Sequence, residues 1–232
     1  MHTHSTAEDK EHLLPPLLGF QPLDGLSFQV NDRTRVNQEL ALWREKARAA
    51  GNDWLITMDE IGEWHTGALN DFQDPDHDTL RRYALWGSLL AGGAGVEWYF
   101  GGKQPNNDLT SEDWRYRHNL WRQTKIAIDF FQENVPFWDM KPVQHLLTNK
   151  QAYGFAKVGE VYLIYLPAGM ATQIDLGQSA LGYSVRWFDP KQGGEFQQLG
   201  LTSLKGLGMN TLQAPKNKSD KDWVILLQRN NE

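Results

Sequence analysis

Between Asn31 and Ala50, Val36, Leu40, Trp43 and Ala47 recur at helical spacing, with Asn31 or Asp32 as a start signal and Gly51 as a stop. The segment from Trp54 to Met58 then reads as a short buried strand. After a polar loop, Leu80, Tyr83, Ala84, Gly87, Leu90 and Ala91 form a second helical stripe, which Gly92, Gly93 and Gly95 end. Val96 to Phe100 is a further strand candidate, closed by Gly101 and Gly102. Thr110 or Ser111 caps a third helix, whose stripe runs through Trp114, Trp121, Ala127, Ile128 and Phe131 to a stop before Pro136.

Strand followed by helix, repeated, is the grammar of a parallel α/β arrangement. With His2–Ser5 as the tail of another strand, the region holds three βα units. A closed (β/α) barrel has eight and needs roughly 250 residues, so the pattern reads as the last third of a barrel beginning in mid-architecture. Such a piece leaves an open parallel edge and an uncovered apolar sheet face, which predicts self-association. From residue 141 the pattern turns all-β, with strands expected at Ala152–Ala156, Glu160–Leu166, Thr172–Leu176, Tyr183–Phe188, Glu195–Leu199, Met209–Gln213 and Trp223–Gln228. Their spacing, with Gly, Pro and Asp-Pro turns between, predicts a small antiparallel β-sandwich of about 90 residues. The expected fold class is therefore α/β plus all-β: a partial (β/α) barrel over 1–140 and a β-sandwich over 141–232.

The chain has 232 residues, with 23 basic and 29 acidic side chains and a net charge of −6. That balance carries no basic stripe for nucleic acid, and no apolar run approaches the roughly 18 residues of a membrane span. There are no cysteines, which excludes disulfides, thiolate metal sites and cysteine nucleophiles. Met1 is followed by polar His2, Thr3 and His4, so no signal peptide is visible. Ten tryptophans, eight of them at or before Trp138, are a surplus. Flat rings stack on pyranose faces where sugars bind, and they fill cores elsewhere.

The strongest candidate chemistry lies at Met58–Gly67, directly after a strand, where loops beyond strand C-termini carry active sites in parallel α/β folds. Glu60 projects from that rim, and a carboxylate there can serve as nucleophile or acid/base in glycoside hydrolysis. Asp59 and Glu60 are otherwise ordinary loop acids. His2 and His4 share a strand face and could bind a metal, and His4 could instead contact substrate. The acidic loop 71–78 reads better as a helix cap than as a calcium site. Glu97, Trp98 and Tyr99 lie on the last strand candidate, where an aromatic ring could form a sugar platform. Gly92–Gly95 follows a helix and precedes a strand, the wrong order for phosphate binding. No cofactor or metal is expected.

The stretch Tyr83–Gly87 and Gly92–Gly102, with Asp113-Trp114-Arg115 and Leu120-Trp121, resembles the closing part of an apiosidase-like glycoside hydrolase. The tail resembles the small module named as the collagen-binding domain of a collagenase, through Tyr153–Pro167, Val185–Pro190 and Asp222–Val224. The resemblance implies a bacterial carbohydrate-active enzyme, secreted or periplasmic in its full-length form, with a glycan or polysaccharide as substrate. It makes Val96–Phe100 strand eight and Trp54–Met58 strand seven, so Glu60 matches the nucleophile, and His2–Ser5 ends strand six. It puts His4, Asp59, Trp64, His65, Trp98 and Tyr99 near the sugar. Strands one to five and the acid/base carboxylate have no counterpart here, which predicts that the chain alone is nearly inactive. Two further readings stand beside it. One is a module binding collagen or glycan with a remnant barrel, and the other a metal-dependent hydrolase using His2 and His4.

Overall fold

The computed structural model describes residues 1–230, apart from the side chains of 178–180. The chain divides into two compact units, Met1–Thr124 and Lys125–Glu232.

In the first unit, β1 (Gly25–Val30) and β2 (Leu55–Ile61) run parallel as neighbours. Residues 1–3 flank β1, with Ser27 N donating to Met1 O at 2.8 Å and Thr3 N donating to Ser27 O at 2.9 Å. Residues 95–97 flank β2, with Met58 N donating to Gly95 O at 3.0 Å and Glu97 N donating to Met58 O at 2.8 Å. Leu26, Phe28 and Val30 of β1 and Ile56, Met58 and Ile61 of β2 are all buried. α2 (Val36–Ala49) packs against β2, and its Val36, Leu40, Trp43 and Ala47 are buried too. This is the stripe that the 3.6-residue period selects. Asp32 accepts a hydrogen bond from Thr34 N at 3.0 Å at the head of the turn leading into α2, and Gly51 ends the helix at φ 84°.

Two elements were not legible. α1 (Ala7–Leu13) is capped by Thr6, whose hydroxyl accepts from Asp9 N at 3.1 Å. It is tied to α2 by a buried ion pair, with Lys10 Nζ 2.7 Å from Glu39 Oε2. β1 is the second, and it changes the strand count: the neighbour of β2 is Gly25–Val30, not His2–Ser5, which lies one place further out. The expected strand at Val96–Phe100 is reduced to a bridge at Val96.

The expectation of an uncovered apolar face is also corrected. The face opposite the core carries Ser27, Gln29, Thr57 and Glu60, which are half-buried and polar, and one exposed apolar residue, Leu55. One leucine makes no contiguous apolar patch to drive self-association.

The second helical stripe forms a π-helical segment, Leu80–Trp86, running into α3 (Gly87–Leu90), and the third forms α4 (His118–Asn134) after a short turn at Trp114–Arg117. In the second unit β3 (Lys141–Pro142), β4 (Tyr153–Lys157), β5 (Val161–Leu166), β6 (Ala171–Phe188), β7 (Ser203–Gln213) and β8 (Trp223–Arg229) form one antiparallel sheet in the order β3-β4-β5-β8-β6-β7. A two-sheet sandwich is not what forms. The expected strands Thr172–Leu176 and Tyr183–Phe188 are two ends of the continuous β6. Its pairing with β7 shifts register on either side of Gln178, so the sheet curls around its own core. The expected strand Glu195–Leu199 makes only a bridge, Trp187 to Gln197. Trp187 and Trp223 pack edge to face in that core at 6.3 Å, among Tyr162, Ile164, Ile225 and Leu227.

Candidate functional site

The site is built at the C-terminal end of β2. Register pairs Ser27 with Thr57 and Phe28 with Met58, then shifts so that Gln29 faces Glu60 and Val30 faces Ile61. The extra residue is Asp59. Paired residues in a parallel ladder share a face, so the shift puts Glu60 with Ser27, Gln29 and Thr57 on the open side while Ile61 stays in the core. Regular alternation would have put Glu60 beside Met58, under the helices. Asp59 turns back on its own strand, its Oδ2 accepting from Thr57 Oγ1 at 2.7 Å.

His2, rather than His4, approaches the carboxylate. Its Nε2 lies 3.8 Å from Glu60 Oε2, while Nδ1 is 2.8 Å from Ser27 Oγ. His4 is exposed, with Nδ1 3.8 Å from Asp9 at the start of α1. Two strand positions apart in sequence, the histidines go to different partners, and no group of three His, Cys, Asp or Glu side chains that could hold a metal occurs among the described residues.

Beyond Glu60 the chain turns at Gly62 into a loop carrying Trp64 and His65. This loop is stitched to residues 99–102. Ala68 N donates to Tyr99 O at 2.7 Å, Gly102 N donates to Trp64 O at 2.8 Å, and the Tyr99 hydroxyl also donates to the Trp64 carbonyl. The approach is close enough to demand glycine. A Cβ on Gly101, at φ 79°, would lie 1.6 Å from Thr66 O, and one on Gly67, at φ 99°, 2.4 Å from Gly101 N.

The result is an exposed Trp64 indole, 59% accessible, with Lys103 Nζ 4.9 Å from its ring centre. His65 lies edge-on to it at 5.5 Å and has its own Nε2 3.4 Å from Glu63. Burial, and then the charges of Asp108 and Glu60, hold the Tyr99 phenol above its ordinary pKa. Trp98 goes the other way. It is 5% exposed and its Nε1 donates to Thr124 Oγ1 at 2.8 Å, which leaves no ring face for a sugar.

The structure thus gathers Glu60, Trp64, His65 and Tyr99 at the end of β2 and in the loop beyond it, and adds Gln29, Asp108 and His2, which sequence reasoning had not placed there. The strict alternation Leu26, Phe28, Val30 between Gly25 and Asn31 is the signal that would have found β1 and, with it, Gln29.

Residues 139–228 match the family described as "Putative collagen-binding domain of a collagenase". Among solved structures, the chain is similar to a glycoside hydrolase family 5 protein from Bacteroides vulgatus ATCC 8482, with a TM-score of 0.62 and 20% identity over 89% of this chain and 50% of that one. It is likewise similar to a structure described as a glycoside hydrolase, with a TM-score of 0.63 and 17% identity over 89% of this chain and 52% of that one. The chain thus spans about half the length of these structures, and at such identities the likeness is one of fold. No curated protein matches it.

Proposed function

We propose that this chain is the part of a retaining glycoside hydrolase that carries the nucleophile, Glu60, joined to a module that holds a glycan or collagen-like ligand. The observation that carries this reading is the register shift that turns Glu60 onto the polar face at the end of β2, with His2 3.8 Å away, in a chain folded like known glycoside hydrolases. In such hydrolysis a carboxylate attacks the anomeric carbon while a second carboxyl, about 5–5.5 Å away, protonates the leaving oxygen. The reading assigns this chain the nucleophile alone, so turnover on unactivated polysaccharide is expected to be near background. Trp64 and His65 line the sugar's path, Tyr99 anchors their loop, and the apiosidase-like motifs at 83–102 name the narrower substrate class.

The test exploits the leaving group. Dinitrophenolate departs without protonation, so Glu60 can be glycosylated even where the acid is lacking. Incubating the chain with a set of 2,4-dinitrophenyl 2-deoxy-2-fluoroglycosides should add one glycosyl mass at Glu60, and none in Glu60→Gln. Absence of any adduct across the set sinks the reading.

The module has its own supporting observation. Trp138 is 71% exposed, edge-on to Phe137 at 5.2 Å, just before β3 at the border of the sheet. An aromatic so placed offers area at low entropic cost. Retention on insoluble collagen or polysaccharide, reduced in Trp138→Ala, is the expected outcome.

A further inference from the structure

A cavity of about 340 Å³ in the first unit is lined by Phe100, Asp108, Ser111, Glu112, Trp114 and Trp121. We propose that it is a subsite for a neutral pyranose ring of a glycan chain, with Trp114 as the stacking platform and Asp108 and Glu112 as hydroxyl acceptors. It deepens, and rests on, the glycosidase reading of Glu60.

The aromatic wall is built before any ligand arrives. Asp113 heads the turn Trp114–Arg117, accepting from Arg115 N at 2.9 Å. Trp121 Nε1 donates to the Trp114 carbonyl at 2.9 Å, which fixes the platform residue's backbone to α4. Phe100 braces Trp121 edge-on at 6.2 Å, and the buried Arg117 guanidinium lies 3.8 Å from the Phe100 ring centre. Trp114 itself is left 62% exposed. An exposed indole on so well-braced a support has no core to fill.

The polar side is complementary. Asp108 accepts from Phe100 N with both oxygens, at 3.1 and 3.2 Å, and a carboxylate has about four acceptor positions, so others remain for ligand hydroxyls. A pyranose presents an apolar C–H face and a rim of hydroxyl donors, the two chemistries this cavity offers. Two carboxylates repel a uronate or a sulfated sugar, so the ligand is neutral. Phe100, whose N–H donates to Asp108, directly follows Tyr99, whose hydroxyl donates to the carbonyl of Trp64 in the loop beyond Glu60, so the cavity adjoins that loop.

The test is titration of the full chain, labelled with ¹⁵N at its tryptophan indoles, with cellohexaose, xylohexaose and mannohexaose in turn, and with an arginine-rich peptide. Saturable shifts of the Trp114 and Trp121 indole signals with at least one hexasaccharide are expected. Affinity should fall at least tenfold in Trp114→Ala and fall in Glu112→Gln. Unchanged binding in Trp114→Ala, shifts with the peptide alone, or no shift with any sugar overturns the subsite. Sugar binding at Trp114 in a chain whose Glu60 takes no glycosyl label upholds the subsite and refutes the hydrolase reading.

Discussion

Glu60 faces Gln29 across the parallel pair β1–β2, one residue later than the register set by Phe28 and Met58. That single shift separates two adjacent residues of opposite character: Ile61 is fully buried, while Glu60 reaches the polar face, where His2 Nε2 lies 3.8 Å from it. The apolar positions Ile56, Met58 and Ile61 carry the same message as a spacing of two and then three.

The two residues should accordingly respond in opposite ways to substitution. Ile61→Ala is expected to cost about 2–5 kcal/mol, as other large-to-small core changes do. Glu60→Gln should leave stability within about 0.5 kcal/mol while abolishing glycosyl labelling. Urea unfolding of both variants separates the effects.

The Lys10–Glu39 pair, at 2.7 Å, joins α1 to α2 with both side chains in the core. Glu39→Gln would leave a buried ammonium without its counter-charge, at a cost of about 3–5 kcal/mol. The double variant Lys10→Met/Glu39→Leu removes both charges and should recover most of that loss. Equal destabilisation of the single and double variants would contradict the assignment.

Gly101→Ala adds a methyl where only 1.6 Å separates the Cβ position from Thr66 O, at a φ of 79°. Backbone strain of about 1–3 kcal/mol is expected from the positive φ alone, and the loop carrying Trp64 must be displaced as well. Faster amide exchange at Ala68 and Gly102, the two donors that stitch the loop down, is the readout.

Tyr99 supplies a pH dependence whose sign follows from its environment. Its phenol is held above the ordinary value of 10.0 by burial and by the charges of Asp108 and Glu60. The unfolded chain therefore ionises first as pH rises, and folding stability falls through and above about pH 10. Tyr183, raised chiefly by burial, adds to the same slope. Tyr99→Phe should flatten part of it and cost about 1 kcal/mol at neutral pH through the lost hydrogen bond to Trp64. Denaturant midpoints between pH 8 and 11 measure both effects.

Local chemistry made several elements readable in advance. The α2 stripe, its Gly51 stop, the apolar run of β2 and the turn-bounded strands β4, β5 and β8 all follow from periodicity and turn residues, which act over a few residues. Glu60 at a strand's C-terminal end was legible for the same reason.

What only tertiary structure decided was which neighbour each strand meets and which way each side chain faces. β1 carries a legible alternation, but which strand it pairs with, and so which face it buries, is decided only by its parallel partner. β6 looked like two strands because its bend falls where Gly177, at φ 81°, and the shifts around Gln178 break the alternation. Trp98 and Trp114 are chemically identical in sequence, yet one is buried against Thr124 and the other stands on a braced turn facing solvent. Side-chain type sets what a residue can do. Burial and hydrogen bonding from residues distant in the chain, which no local window contains, decide what it does.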